Sequence, residues 1–472
     1  MNLVLKYLAY ILFIASLFSL FPIIVGLYYS EPISSFILTA ILTVALGVLC
    51  LVFSRSIEKK STSLSLGKGL MLVSLSFIIL SALGAIPYLK AFNYDFLNAF
   101  FESISGFTTT GLTLFSSLDG LPKSLLFRRA ETQWMGGIGI IMVFLFFLSR
   151  LKTHSFSSMA EGSSSESGRT LYQAQGFPQH LEGGLKQTTS TILKIYLGYT
   201  VLGAILLFFT GMTLLDSIGM TMTSLSTGGF TMSDSPFTSP VQLVILSVLM
   251  ILGSISFIVH NDLFRKRFKK FITSSEKNVF LLLLVLGIIV VSFSYKDIWV
   301  TVFELISSFT TTGYSMTNIS ALPPLFIMVM MLGMIMGGGV GSTSGGIKVF
   351  RITAVFKAIP WLIKRLSSPR RAIIPFKLKG EPCDERDLLI IETFVSAYFM
   401  ILLLGTLVFL LMGFGFLDSA FQVTSALGTV GLQTMPLIGL PVLGKLVLIV
   451  CMLLGRLEIF PFLVMIRLLS RY

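Results

Sequence analysis

The stretch SGFTTTGLTLF (105–115) places three threonines and a glycine, all poor helix formers, between strongly apolar segments. Its first eight residues have three gap-free counterparts: TSLSTGGF (223–230), SSFTTTGY (307–314) and SALGTVGL (425–432). All four share a glycine (Gly111, Gly229, Gly313, Gly431), a threonine two residues before it (Thr109, Thr227, Thr311, Thr429) and a serine or threonine six before it. Successive glycines lie 118, 84 and 118 residues apart, the rhythm of four related units with different inserts.

Upstream, Asp95 and Asp297 precede their glycines by sixteen residues, and Asp216 and Asp418 precede theirs by thirteen. Between aspartate and glycine lie segments such as DFLNAFFESI (95–104) and DIWVTVFELI (297–306), too short to cross a bilayer. An acidic residue at the start of such a half-helix suits the positive end of its dipole. Each unit therefore reads as full span, half-helix, threonine–glycine loop, full span.

The rest of the chain fits a membrane. Of 472 residues 54% are hydrophobic and only 12% charged, about half the charge of a soluble domain. Apolar runs predict ten spans, near 3–29, 34–54, 67–89, 128–149, 187–211, 240–261, 277–295, 323–352, 387–415 and 442–466. The expected fold is an all-α polytopic membrane protein. It has four pseudo-symmetric span–pore-helix–span units around a central pore, four re-entrant loops and an N-terminal two-span hairpin. The corresponding division is 1–62 (hairpin), 63–165, 166–272, 273–366 (with a glycine-rich loop) and 367–472.

With both termini inside, 28 of the 35 Lys and Arg residues fall on the inner side, the positive-inside pattern, which accounts for the net charge of +13 without nucleic acid. Acidic residues, among them Glu102, Glu131, Asp234 and Glu304, are expected at an outer mouth where they would concentrate cations. Three scattered cysteines and three isolated histidines form no metal-binding or catalytic pattern, and no organic cofactor or enzymatic activity is expected.

Non-helical backbone at membrane depth is tolerated only inside protein or along a water-filled path. Four converging loops give a ring of carbonyl oxygens able to replace an ion's hydration shell. Small residues also ease helix packing, and any single copy fits that reading; four copies, each after a half-helix, favour the ring. The second span of the third unit contains MGGGVGSTSGGIKVFR (336–351), with too many glycines for a stable helix. It lacks the Gly-Lys-Ser/Thr of a phosphate-binding loop, because Ile347 separates Gly346 from Lys348. It reads as a flexible intramembrane loop. Arg456, inside the last apolar run, is either a structural ion-pair partner or a positive charge in the ion path.

At these residues the chain closely resembles the Trk/Ktr/HKT superfamily of potassium transporters over about 67–472, and its extra N-terminal pair of spans resembles the bacterial TrkH branch. The resemblance implies K+ bound by filter carbonyls at Thr109, Thr110, Gly111, Thr227, Gly228, Gly229, Thr311, Thr312, Gly313, Thr429, Val430 and Gly431. It implies a gate loop of Gly337, Gly338, Gly339, Gly341, Ser342, Thr343, Ser344, Gly345, Gly346 and Lys348, with Arg456 touching the gate. Glycine at all four filter positions favours potassium over sodium by analogy with plant relatives. QWMGGIGIIMV (133–143) is also family-like, although close helix packing explains it. The expected function is potassium uptake across a bacterial inner membrane, or alternatively a sodium-permeable or H+- or Na+-coupled symport on the same fold. The family implies a homodimer and a cytosolic, TrkA-like nucleotide-binding subunit. The basic segment 364–386 is open to that docking role, to anionic lipid or to a plain orientation signal.

Overall fold

Four helices of twelve residues each organise the molecule, and at about 1.5 Å per residue none can cross a bilayer core of about 30 Å. A computed structural model describes residues 2–56, 64–139, 184–369, 372, 374–378 and 381–470. The chain opens with α1 (Asn2–Phe18), α2 (Leu20–Tyr28) and α3 (Ser34–Ser56), a hairpin packed against the first unit. That unit comprises α4 (Leu66–Gly84), the short helix α5 (Phe96–Phe107) and α6 (123–139). The second comprises α7 (Gly184–Phe209), the short α8 (Leu214–Leu225), α9 (Pro240–Ser254) and α10 (Phe257–Phe264), followed by the basic turn α11 (Phe268–Ile272). The third comprises α12 (Ser275–Ser292), the short α13 (Ile298–Phe309), α14 (Pro324–Met336) and α15 (Val349–Leu366). The fourth comprises α16 (Glu385–Leu411), the short α17 (Phe416–Leu427), α18 (Val442–Arg456) and α19 (Phe460–Leu469). Apart from helices, Lys377–Leu378 pairs antiparallel with Glu381–Pro382.

The two aspartate spacings have one cause. Asp95 and Asp297 are N-caps, accepting from Leu97 and Asn98 N–H and from Trp299 and Val300 N–H. Asp216 and Asp418 sit instead in the first helical turn, where Thr213 caps the second helix. Cap and third helical position differ by three residues, and both place a carboxylate on the positive helix end.

Side-chain exposure is inverted relative to a soluble protein. Phe53, Phe209, Leu286, Leu403 and Leu404 on the long helices are exposed, whereas Ser103, Thr221, Ser308 and Thr424 on the short ones are buried. Such a molecule fits a lipid surround and a polar interior.

Six single helices and two sharply bent helix pairs among the described residues are long and apolar enough to span. They match eight of the ten expected spans. The ninth, 128–149, is helical through 139, and its remainder, like the Ser/Gly-rich 159–170 segment, lies outside the described residues. Three of the ten expected runs, two of them the bent pairs, differ from expectation by being broken. The run 323–352 divides into α14 and α15 around the glycine-rich loop. The run 240–261 bends by 104° between α9 and α10, and 442–466 bends by 108° between α18 and α19. At the first bend the glycine-rich loop takes up the loosened backbone: Gly339 N–H donates to Ser254 O (2.8 Å), Thr343 N–H to Gly253 O (3.1 Å) and Phe257 N–H to Gly341 O (3.1 Å). At the second, Pro461 has no N–H to continue the helical ladder, and Glu458 and Ile459 both adopt φ of 58°.

Candidate functional site

Each short helix ends in the same way. After α5, Thr110 N–H donates to Ser105 O (2.9 Å) and Thr109 N–H to Gly106 O (2.9 Å), the paired bonds of a Schellman turn. The pattern recurs at Gly228→Thr223 and Thr227→Ser224, at Thr312→Ser307 and Thr311→Ser308, and at Val430→Ser425 and Thr429→Ala426. The turn needs a left-handed residue, and Thr109, Thr227, Thr311 and Thr429 supply it with φ of 52°, 51°, 59° and 51°. A threonine there costs roughly 1–2 kcal/mol relative to a relaxed backbone, so the surrounding packing must hold it. The following glycines also have positive φ, at 87°, 78°, 93° and 95°.

These glycines interlock. A Cβ on Gly111 would strike Gly228 O, one on Gly229 would strike Thr312 O, one on Gly313 would strike Val430 O, and one on Gly431 would strike Thr110 O. The order first, second, third, fourth and back to first closes a ring in which each glycine packs on the next loop's carbonyl. A cavity of about 320 Å³ opens on the ring, touching all four glycines. A ring of carbonyl oxygens under an open vestibule is equipped to strip and coordinate a cation.

Several braces were not identified from sequence. Ser307 Oγ accepts Gly313 N–H (3.1 Å) and Ser425 Oγ accepts Gly431 N–H (3.1 Å), which gives the serine six residues before the glycine a purpose in those two loops. Glu102 accepts Leu114 N–H (3.1 Å) and pairs with Arg129 (2.9 Å), whose guanidinium lies 4.0 Å from the Phe230 ring. Glu304, in the same register of the third unit, accepts Met316 N–H (2.7 Å). Glu102, Glu131 and Glu304 are thus buried rather than exposed at a mouth. Their nine-residue offset from the glycines was the readable signal for Glu102 and Glu304. Asp234 does lie at the surface, joining two vestibule loops, and hydrogen bonds from Ser117 Oγ (2.5 Å) and Leu118 N–H (2.8 Å) hold its carboxyl below the usual range.

The glycine-rich loop 337–348 closes the opposite side of the ring. Thr343 Oγ1 donates to Leu225 O (2.9 Å) or Gly253 O (2.9 Å) and meets Thr227 Oγ1 at 3.3 Å. Gly345 N–H donates to Thr311 Oγ1 (2.8 Å), and a Cβ on Gly345 would strike Thr429 Oγ1. Three of the four left-handed threonines are therefore touched by one loop. Gly337 and Gly346, with φ of 65° and 73°, cross too closely for side chains. Gly338 N–H donates to Ser344 Oγ (3.0 Å), which meets Ser342 Oγ at 2.9 Å.

Two buried cations hold this loop. Lys348 Nζ donates to Ser344 O. Arg456 donates to Thr343 O (2.6 Å) and, from its other terminal nitrogen, to Gly136 O (2.8 Å). Arg456 stands at the end of α18, beside the bend rather than in mid-helix, and carbonyls rather than a carboxylate receive it. Glu458 pairs instead with Arg351 (2.5 Å). The structure thus brings together all the sequence-selected residues in two layers, ring and loop.

The chain is similar to known proteins over most of its length. Residues 33–471 match the family model TrkH, described as a cation transport protein. The chain is 32% identical over 470 residues to an uncharacterized cation transporter of Methanocaldococcus jannaschii, covering 96% of this chain and 92% of that protein. It is 30% identical over 438 residues to the Trk system potassium uptake protein TrkH of Escherichia coli K12, covering 86% of each. The crystal structure of the potassium transporter TrkH from Vibrio parahaemolyticus superposes with a TM-score of 0.83 at 27% identity, covering 98% of this chain and 97% of that one.

Proposed function

The chain belongs to the TrkH family of cation transport proteins, and we propose that it takes up potassium through the ring of four threonine–glycine loops. K+ enters the vestibule and exchanges water for carbonyl oxygens, including those of Thr110, Gly228, Thr312 and Val430. It then meets the 337–348 loop, which acts as the gate. Lys348 and Arg456 place positive charge beneath the ring and oppose cation passage until the loop moves. The driving force is the membrane potential, about 2.3 kcal/mol per charge per 100 mV. The observation that carries this reading is the cyclic closure, each glycine on the next loop's carbonyl.

The charge distribution and the family resemblance support the remaining parts. The protein sits in a bacterial inner membrane with the vestibule outside, the gate inside and both termini cytoplasmic. It works as a homodimer with a cytosolic, TrkA-like nucleotide-binding subunit, and basic inner segments contact anionic lipid. The four units are 63–165, 166–272, 273–366 and 367–472, with the 1–62 hairpin apart. The test is flux in liposomes of purified protein under an imposed potential. K+ flux well above Na+ flux is expected. Equal fluxes would overturn potassium selectivity, and K+ flux that requires a proton or sodium gradient would assign coupled symport instead.

A further inference from the structure

We propose that Gln133 is a positioning residue that sets the cation discrimination of the ring, by tying the second threonine–glycine loop at both a carbonyl and an amide. The inference rests on the filter reading above. Gln133 is fully buried on α6. Its Nε2 donates to Gly228 O (2.5 Å) and its Oε1 accepts Phe230 N–H (3.1 Å). These partners fix the orientation of the amide, since only the nitrogen can face a carbonyl and only the oxygen an N–H. Gly228 O is the same oxygen on which Gly111 packs, so the glutamine reaches the ring itself. Among the described residues, no side chain donates to the equivalent oxygens of Thr110, Thr312 or Val430.

The units show why this happens once. Gly136, Gly253, Gly333 and Gly455 each pack against the end of their own unit's short helix, at Phe107 O, Leu225 O, the Phe309 ring and Leu427 O. Three residues before these glycines stand Gln133, Met250, Met330 and Met452, all buried. Three positions thus carry an apolar methionine and one carries an amide. The loop position facing the amide is altered to match. Where the other loops have Thr110, Thr312 and Val430, the second has Gly228, and a Cβ there would overlap the Gln133 side chain. Glutamine and glycine form a fitted pair.

The consequence is one stiff quadrant. The loop is held on both sides of Gly229, so this carbonyl resists the inward shift needed to coordinate a cation smaller than K+. The amide N–H also adds positive character to that quadrant, leaving the other three as the stronger ligands.

The experiment compares K+ and Na+ flux, at saturating ion, in liposomes of the wild-type protein, Gln133→Met and the double variant Gln133→Met/Gly228→Thr. Both variants make the odd position resemble the other units. Gln133→Met is expected to keep K+ flux within a few-fold while the K+/Na+ flux ratio falls about tenfold, the scale of one lost buried hydrogen bond. The double variant restores the pairing of a methionine with a side-chain-bearing loop residue found in the other units, and is expected to keep the lowered ratio. An unchanged ratio in monodisperse Gln133→Met protein overturns the proposal. So does loss of monodisperse protein in both variants, which would make Gln133 a folding residue. A wild-type protein with no preference for K+ overturns the filter reading, and this inference with it, before any variant is compared.

Discussion

The ring and the loop beneath it are built by opposite means. The ring arises by repetition: four helices of equal length end in one turn type, and each loop needs the next to complete its surroundings. The loop arises by breaking one repeat, so that 337–348 crosses under the ring and touches three of the four left-handed threonines, Thr227, Thr311 and Thr429. Fourfold construction suits coordination of a spherical ion, whereas a single loop can be moved without disturbing the ring's internal bonds. Ring substitutions are therefore expected to change which ion passes, and loop substitutions how much.

The largest expected effect is on discrimination. In Gly111→Ser, the new Cβ is driven onto Gly228 O from a backbone with φ of 87°, so two adjacent loops must separate. Overpacking of this kind costs about 1–3 kcal/mol, equivalent to roughly a ten- to hundredfold change if it falls on one ion's path. A K+/Na+ flux ratio equal to wild type in folded protein would break the assignment of Gly111 to the ring. Next comes deletion of 341–345, which removes the contacts to Thr227, Thr311 and Thr429. K+ flux is expected to rise on the order of tenfold, a barrier change of about 1.4 kcal/mol, at constant ratio. A changed ratio would show that the loop also shapes the ring, and lost flux in intact protein would contradict a blocking loop.

How much of this was legible in the sequence follows the same division. Thr109 and Gly111 could be chosen because three other copies exist to align with them, and their shared feature proved to be positive φ. The glycine-rich loop was visible by composition, yet its contacts were not, because nothing else in the chain repeats it. The bends at 255–256 and 457–459 lie inside runs apolar enough on average to be read as single spans, and hydropathy carries no information on backbone direction. Glu102 and Glu304 were placed at the mouth by charge alone, whereas their role is to hold a backbone N–H after the loop. Gln133 lay in a quoted motif, but its partner is the neighbouring unit, which no periodicity reveals.

Arg456→Ala tests the link between layers with a smaller effect. The guanidinium joins Thr343 O to Gly136 O, and its loss removes one anchor and one positive charge. Thr343 keeps its own bond to Leu225 O or Gly253 O, so the loop is loosened rather than removed. Flux is expected to rise a few-fold, less than in the deletion, with the ratio unchanged; a rise equal to the deletion's would make the arginine the main restraint. If the variant is absent from the membrane while 341–345 deletion protein is present, Arg456 serves assembly instead.

The smallest effect probes whether the four copies are equal. Ser105 and Ser425 occupy the same place in their units, yet Ser425 Oγ accepts Gly431 N–H (3.1 Å) while Ser105 Oγ has no hydrogen-bond partner among the described residues. Ser425→Ala deprives a glycine amide of its acceptor and is expected to cost about 1 kcal/mol, visible as a lower melting temperature in detergent. Ser105→Ala removes a hydroxyl without a hydrogen-bond partner among the described residues and is expected to be neutral. Equal losses at both positions would mean that small-residue packing, not the bond to the amide, is why serine recurs there. The proposed asymmetry would then be confined to the Gln133 quadrant.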